Sequence, residues 1–325
     1  MLRVSAVTER WPVAGQFVIA RGAKSHVDVI LVAVTYNDHL GMGEGTPIYY
    51  RGETGGHCLS QIEAVAEALE DYTPRQARLA IQNRLGPGAA RNALDCALWD
   101  LEAKLAGLPL WQHLGLKHAP GPLVTAFTIS LGPAQAMEAD AQRAAAAGHR
   151  LLKLKLTEHG YRERVAAVRR GAPEARLIID ANESWANLDI AAEASALTDF
   201  GVELIEQPLA DGGDRGLASI RSPIPLFADE SCHSAADVAR LAMLYDGINI
   251  KLDKAGGLTE AMKIADAADT AGMKIMAGCM LSTSLAIAPA FLLAQRADWV
   301  DLDGPLLLAQ DRSDGFRFED GMILP

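Results

Sequence analysis

From about residue 122 onward the chain alternates short apolar runs with longer amphipathic stretches. The runs have the length and β-branched content of buried strands, and the stretches between them repeat their apolar positions with helical spacing. Eight strands are predicted, at 124–129, 151–156, 176–181, 202–206, 225–229, 247–251, 273–278 and 299–303, with helices between them such as 133–147, 161–170, 188–199 and 259–271. This α/β alternation predicts a closed (β/α)8 barrel of the TIM type.

The first part of the chain follows a different pattern. Strands are predicted at 2–9, 15–21, 27–36 and 40–47, with a turn at Gly41-Met42-Gly43, followed by helices at 59–70, 74–84 and 88–106. Strands followed by helices indicate an α+β domain. The predicted organisation is therefore an α+β capping domain at 1–120, the barrel at 121–303, and a C-terminal tail at 304–325 that leaves the repeat and returns to complete the capping domain.

The composition of the chain argues against several classes of function. The chain has 325 residues, half of them hydrophobic, and a formal net charge of −11 without a basic run, which argues against a nucleic-acid partner. The four cysteines lie far apart and form no Cys-x-x-Cys pair, so neither a structural zinc site nor a disulfide framework is expected. The start of the chain lacks a signal-peptide pattern, and the apolar stretch at 285–294 is too short to span a membrane. We expect a cytoplasmic protein without a membrane partner.

Three acidic residues stand at the ends of consecutive predicted barrel strands: Asp180, Glu206 and Asp229. A lone buried carboxylate is costly, whereas three that converge suit a hard divalent ion, most readily Mg²⁺, with Mn²⁺ as the alternative. Each acid taken alone would be explained by a helix cap or a buried salt bridge. Three on neighbouring strands favour a metal site at the mouth of the barrel.

Lysines end two other strands. Lys153 and Lys155 alternate with leucines, so the period of two directs both toward the barrel interior, and Lys251 ends the sixth strand, across the mouth from the second. A neutral lysine can abstract a proton, and desolvation beside a metal is expected to lower its pKa. The alternative is that Lys153 and Lys155 are the solvated end of an edge strand.

Asp301 and Asp303 repeat the same spacing on the eighth strand. Two further acids on one interior face would complement a substrate ammonium group. Either acid could instead cap the following segment.

The segments Lys-x-Lys, Asp-x-Asn, Glu-Gln-Pro, Ala-Asp-Glu-Ser and Asn-Ile-Lys, in this order, resemble the muconate-lactonizing subgroup of the enolase superfamily, whose sites use a lysine or histidine base with Mg²⁺. The Asp301-x-Asp303 pair is similar to the ammonium-binding signature of dipeptide epimerases. Stretches such as 91–100 and Cys279-Met280-Leu281 are similar to L-Ala-D/L-Glu epimerases in particular.

The resemblance implies roles for individual residues. Lys155 and Lys251 would be the two acid/base catalysts on opposite faces of the substrate, and Lys153 would support Lys155 or the substrate carboxylate. Asp180, Glu206 and Asp229 would be the metal ligands. A loop of the capping domain at about 15–26 would close over the barrel and offer Arg21 or Lys24 to an acidic side chain, and Met280 would contact the substrate.

The expected activity is thus Mg²⁺-dependent epimerisation of a dipeptide, with L-Ala-D/L-Glu as the foremost candidate. The resemblance further implies a role in murein peptide recycling and assembly as a homo-oligomer. Other reactions of the subgroup stay open: N-acylamino-acid racemisation, o-succinylbenzoate synthesis and cycloisomerisation. A different class, a non-catalytic barrel that binds an amino compound, would need no lysine pair beside a metal.

Overall fold

The computed structural model describes residues 1–19 and 22–325. The chain begins with a three-stranded antiparallel sheet built from β1 (Arg3–Ile19), β2 (Gly22–Tyr36) and β3 (His39–Gly45), in the order β1-β2-β3. The predicted strands 2–9 and 15–21 form one continuous strand as far as Ile19, since β1 continues through a register shift between Pro12 and Phe17. Residues 20 and 21 lie outside the described residues. The predicted strand 27–36 is confirmed within β2, and the predicted strand 40–47 is confirmed up to Gly45, where β3 ends.

The turn predicted at Gly41-Met42-Gly43 is wrong. The chain reverses at Asn37 and Asp38, whose φ angles of 46° and 62° are those of a tight hairpin turn. Gly41 and Gly43 lie inside β3 instead, and a Cβ built on Gly43 would stand 2.2 Å from the carbonyl oxygen of Ala93. These glycines let β3 pack directly on a helix, which the sequence pattern alone could not distinguish from a turn signal.

Four α-helices follow the sheet in the described chain: α1 (Gly55–Ala66), α2 (Pro74–Arg84), α3 (Ala89–Leu105) and α4 (Leu110–His113). The predicted helix at 74–84 is confirmed, and it begins where Thr73 and Gln76 form a capping box and Pro74 occupies the first turn. The apolar faces of β2 and the three longer helices share one core, with Ile30, Val32, Leu69 and Leu94 buried in it.

The barrel is confirmed. After the short strand β4 (Leu123–Val124), eight parallel strands pair in sequence order: β5 (Ala126–Ile129), β6 (Leu151–Lys155), β7 (Arg176–Asp180), β8 (Val202–Glu206), β9 (Leu226–Ala228), β10 (Gly247–Lys251), β11 (Lys274–Gly278) and β12 (Trp299–Asp301). The helices around them are α5 (Ala134–Ala146), α6 (Tyr161–Gly171), α7 (Ile190–Leu197), α8 (Ala235–Leu241), α9 (Leu252–Ala255), α10 (Leu258–Ala271) and α11 (Ser284–Ala294). Side chains bridge the last and first strands, since the Thr125 hydroxyl accepts a bond from the Leu302 amide and Asp303 accepts one from the Thr128 amide.

Alternate residues of β6 lie in two different environments. Leu152 and Leu154 belong to the layer between barrel and helices, whereas Leu151 lies in the interior floor with Ile178 and Phe227. Lys153 and Lys155 continue the inward series from Leu151 and are buried above that floor. Their interpretation as a solvated edge strand is therefore wrong.

The tail contacts both parts of the chain. The Ala309 amide bonds the Pro12 carbonyl oxygen, and Arg312 pairs with Glu9 and Glu44 at 2.7 Å each. The tail then forms β13 (Arg317–Glu319) and β14 (Met322–Leu324), and β14 pairs with β4 beside the barrel. The division into domains at 120 and 303 stays a prediction.

Candidate active site

The carboxyl ends of the barrel strands bring most of the predicted residues into one buried cluster. Asp180 ends β7, Glu206 ends β8, and Asp229 directly follows β9. Lys155 and Lys251 end β6 and β10. Three strands separate β6 from β10 in either direction around the closed barrel, so the two lysines approach the acids from opposite sides.

Asp180, Glu206 and Asp229 fit a metal ion. Each is buried, and each offers a carboxylate oxygen within 4.8 Å of the other two. Neighbouring polar groups orient them: the Asn249 amide donates to Glu206 at 2.7 Å, and the backbone amide of Asn182 donates to Asp180 at 2.9 Å. Oxygen-only donors with held orientations are what Mg²⁺ prefers, and the carboxylates repel one another unless a cation lies between them.

Each of the three predicted lysines lies nearest to a different carboxylate of the trio. Lys155 donates to Asp180 at 2.6 Å, and Lys251 donates to Asp229 at 2.7 Å. Lys153 lies below them, 2.6 Å from Glu206 and 2.7 Å from Asp301. Lys155 and Lys251 therefore reach different members of the trio, while Lys153 links the trio to the pair on the eighth barrel strand.

The carboxylates govern the electrostatics of the lysines. Burial by itself lowers the pKa of Lys251, but the charges of Asp229 and of the other acidic groups around it, Glu206 among them, together hold that pKa well above its ordinary value. Burial also raises the pKa of Asp180, and the charges of Lys155 and Lys153 reverse this, leaving it at about 2. The charge of a divalent ion would offset the field of these acids, so the lowered lysine pKa that is expected beside a metal stays a prediction.

Asp301 and Asp303 lie side by side on the interior face, both buried. One oxygen of Asp301 accepts from Lys153, while its buried Oδ1 has no hydrogen-bond partner within residues 1–19 and 22–325. Asp303 accepts from the Thr128 amide at 2.7 Å, and burial together with the charge of Asp301 raises its pKa to about 7. Both acids line a small cavity that also contains Lys155 and Lys251.

The capping sheet covers this end of the barrel. Lys24 stands 3.9 Å from the centroid of the Tyr49 ring and lines a cavity of about 70 Å³ together with Met280, Lys155 and Lys251. Burial lowers the pKa of Lys24. Arg21, the other predicted cation, lies outside the described residues.

Four polar residues at this site were given no role by the sequence analysis: Thr46, Tyr50, Asn249 and Lys254. Thr46 and Tyr50 line the cavity from the capping domain, and the charges of Asp229 and Lys251 act on the hydroxyl of the half-buried Tyr50. Lys254 stands one helical turn after Lys251 and is fully buried, 2.5 Å from Asp229 and bonded to the carbonyl oxygens of Asp229 and Asn249. Its i, i+3 spacing from Lys251 is the only sequence signal that could have found it.

We expect Lys254→Met to lower the free energy of unfolding by about 3 kcal/mol, because it breaks a buried ion pair and removes a charged donor from two buried carbonyl oxygens. Urea unfolding in the presence of a chelator measures this without a contribution from bound metal. Lys263→Met is the matched control, since Lys263 is mostly exposed beside Glu260 and should change stability by less than about 1 kcal/mol. Equal effects of the two substitutions would contradict the assignment of Lys254 to the buried network.

Known proteins share both halves of the chain. Residues 1–115 match the N-terminal domain of mandelate racemase / muconate lactonizing enzyme, and residues 136–325 match the enolase C-terminal domain-like family. The chain is 41% identical over 323 residues to the L-Ala-D/L-Glu epimerase of Escherichia coli K12, with 99% of each protein covered. It is 40% identical over 299 residues to an N-acetyl-D-glutamate racemase of Pseudoalteromonas, covering 91% of this chain and 93% of that protein.

Solved structures of related proteins are also similar to this chain along nearly its whole length. A crystal structure of an enolase family member from Agrobacterium tumefaciens with homology to dipeptide epimerases, with bound sodium, L-Ala-L-Glu and an ordered loop, has a TM-score of 0.95 at 45% identity and covers 100% of this chain and 98% of its own. The dipeptide epimerase of Enterococcus faecalis, complexed with Mg and L-Leu-L-Tyr, has a TM-score of 0.93 at 30% identity and covers 99% of this chain and 96% of its own.

A capped barrel with a carboxylate trio at its mouth and matches over nearly its whole length define the class: the chain belongs to the enolase superfamily, in the mandelate racemase / muconate lactonizing enzyme family. The expectation of an isomerase of the dipeptide epimerase kind is confirmed by these relatives. Among the described residues, no helix has the length and apolar character needed to cross a membrane.

Proposed function

We propose that the protein epimerises dipeptides, with L-Ala-D/L-Glu as the substrate, by moving a proton between the two faces of the α-carbon next to the terminal carboxylate. One observation carries the proposal: Lys155 and Lys251 bond different members of one carboxylate trio, at 2.6 and 2.7 Å, from opposite sides of the barrel. A substrate carbon between two such amines exposes one face to each of them.

Asp180, Glu206 and Asp229 would hold Mg²⁺, for which Mn²⁺ is the alternative. When bound there, the ion supplies a Lewis acid for the substrate carboxylate and stabilises the negative charge that develops when the neighbouring α-carbon loses its proton. Lys155 or Lys251 removes that proton, and the opposite lysine returns one to the other face. The base for one epimer is therefore the acid for the other. Lys153 stays charged between Glu206 and Asp301 and holds both carboxylates in place.

Two further contacts would select the substrate. The Oδ1 of Asp301, which has no hydrogen-bond partner in the described part of the chain, suits with the neighbouring Asp303 the ammonium group of the N-terminal residue. Lys24, held against the Tyr49 ring, suits the side-chain carboxylate of the second residue. Met280 lines the space between them. The resemblance alone supports two wider proposals, a role in murein peptide recycling and a homo-oligomeric assembly. The cytoplasmic location expected from the sequence pattern stays a prediction.

N-Acylamino-acid racemisation is the second candidate, favoured by the relative named N-acetyl-D-glutamate racemase. An N-acylated substrate has no ammonium group, so Asp301 and Asp303 would then face an uncharged amide. Two buried acids without a cationic partner from the substrate are costly, which favours the dipeptide. The remaining reactions of the subgroup, cycloisomerisation and o-succinylbenzoate synthesis, also lack a use for this pair.

Turnover with Mg²⁺ tests the proposal directly. The protein is incubated with L-Ala-L-Glu, L-Ala-D-Glu, neutral and basic dipeptides, and both enantiomers of N-acetylglutamate, and the stereochemistry is followed by polarimetry and by α-proton exchange in D₂O. The proposal expects the highest kcat/KM with the two Ala-Glu epimers. Faster racemisation of N-acetylglutamate would replace the first candidate with the second.

We expect Lys24→Met to lower kcat/KM for L-Ala-L-Glu by about 10- to 100-fold, the equivalent of one charge-assisted hydrogen bond. The effect on an L-Ala dipeptide with an uncharged second residue should stay within about twofold, because no carboxylate then faces Lys24. Lys104→Met, at an exposed salt bridge with Asp100, is the control for loss of a positive charge. A similar loss with both kinds of dipeptide would show that Lys24 does not read the side-chain carboxylate.

A further inference from the structure

A buried carboxylate beside Lys251 has no part in the proposed reaction. Asp253 lies two residues after Lys251, in the short helix α9, and is only 4% exposed. Its Oδ1 accepts two hydrogen bonds, from the backbone amide of Thr46 at 2.8 Å and from the side-chain amide of Asn92 at 2.7 Å. Both donors belong to the N-terminal part of the chain, so Asp253 joins the turn that follows Lys251 to the capping domain.

Thr46 is held at a second point. Its hydroxyl donates to the carbonyl oxygen of Leu281 at 3.0 Å, and Leu281 lies just after β11. Thr46 therefore binds the loops that follow two neighbouring barrel strands, β10 and β11, and it lines the cavity that contains Lys251. Two bonds from one buried residue define its position more closely than either would alone.

Thr46 begins the capping segment, which we define as residues 46–50. Tyr49 of this segment supports Lys24, and Tyr50 lies in the field of Asp229 and Lys251. A displacement of Thr46 would therefore displace the capping segment that covers Lys251. The turn after Lys155 is built differently, since its first carboxylate, Glu158, accepts from Asn187 of the barrel.

We infer that Asp253 is a positioning residue: through Thr46 and Asn92 it holds the turn of Lys251 against the capping segment, and so sets the rate of proton transfer on the Lys251 face and not on the Lys155 face. The inference rests on the proposed function, in which the two lysines serve opposite faces. Asp253 touches neither the substrate nor the trio in this scheme.

Two substitutions of Asp253 distinguish the effect of its hydrogen bonds from the effect of its side-chain volume. Asp253→Ala removes the acceptor for both amides, whereas Asp253→Asn keeps an oxygen where Oδ1 stands. Burial raises the pKa of Asp253 to about 7, against the bonds from Thr46 and Asn92, so an uncharged group of the same shape suits this position.

The test follows the exchange of the α-hydrogen with solvent deuterium, starting from each epimer of L-Ala-Glu. The single variants Lys155→Ala and Lys251→Ala first assign one epimer to each lysine. For Asp253→Ala we expect kcat for exchange on the Lys251 face to fall at least about tenfold, since misplacement by an ångström is costly, with the Lys155 face within about twofold of wild type. Asp253→Asn should restore most of the lost rate.

Three results would overturn the inference: no loss on either face, an equal loss on both faces, or no rescue by asparagine. If Asp253→Ala does not fold, Asn92→Ala decides the question, because it removes one of the two donors and should give the same one-sided loss at smaller size. Failure of the proposed function looks different, since wild-type protein would then neither epimerise nor exchange L-Ala-Glu.

Discussion

Lys251→Ala should abolish epimerisation of L-Ala-D/L-Glu, lowering kcat/KM by at least about 10³-fold, because general acid/base catalysis by one positioned group contributes on this scale. Lys155→Ala should do the same. Each variant should nevertheless exchange the α-hydrogen of one epimer with solvent deuterium, through the lysine that remains, and the two variants should act on opposite epimers. Proton NMR in D₂O measures exchange and inversion in one experiment.

The matched control is Lys274→Ala, which removes an exposed lysine paired with Asp298 at the opposite end of the barrel. It should leave both rates unchanged. Full epimerase activity in the Lys251→Ala protein would remove the two-base scheme, since one amine cannot reach both faces of the same carbon. Exchange of the same epimer by both variants would place the two lysines on one side of the substrate.

Chelation of divalent metal should remove activity altogether, and added Mg²⁺ should restore it. Glu206→Gln should weaken Mg²⁺ binding by more than the roughly 10- to 100-fold that loss of an outer-shell partner costs, because it removes a ligand of the proposed ion. Isothermal titration calorimetry and the Mg²⁺-dependent rise in melting temperature measure this without reference to turnover.

Asp298→Asn serves as the control, because it changes a carboxylate of a partly exposed salt bridge far from the trio. Its Mg²⁺ affinity should equal that of the wild type. Undiminished turnover after exhaustive chelation, or unchanged Mg²⁺ affinity in Glu206→Gln, would contradict the assignment of the trio as a metal site.

The ends of the barrel strands could be predicted from the sequence to within a few residues. Its strands are contiguous apolar runs, and the acids and lysines that end them face one mouth once the strands are parallel. The inward direction of Lys153 and Lys155 followed from the period of two alone. The capping sheet was harder to predict. Gly41 and Gly43 have the sequence signature of a turn, but in the structure they allow β3 to approach α3 closely.

What the amino-acid sequence determined by itself is the order of elements, the family, and the residues that stand at strand ends, since each depends on neighbours within a few positions. Only the tertiary structure decided the contacts of Lys254 with Asp229, of Asp253 with Thr46, and of Lys24 with Tyr49. The bond from Thr46 to Asp253 joins residues 207 positions apart. Such a contact depends on how two separately patterned parts of the chain pack together, and no local periodicity encodes that.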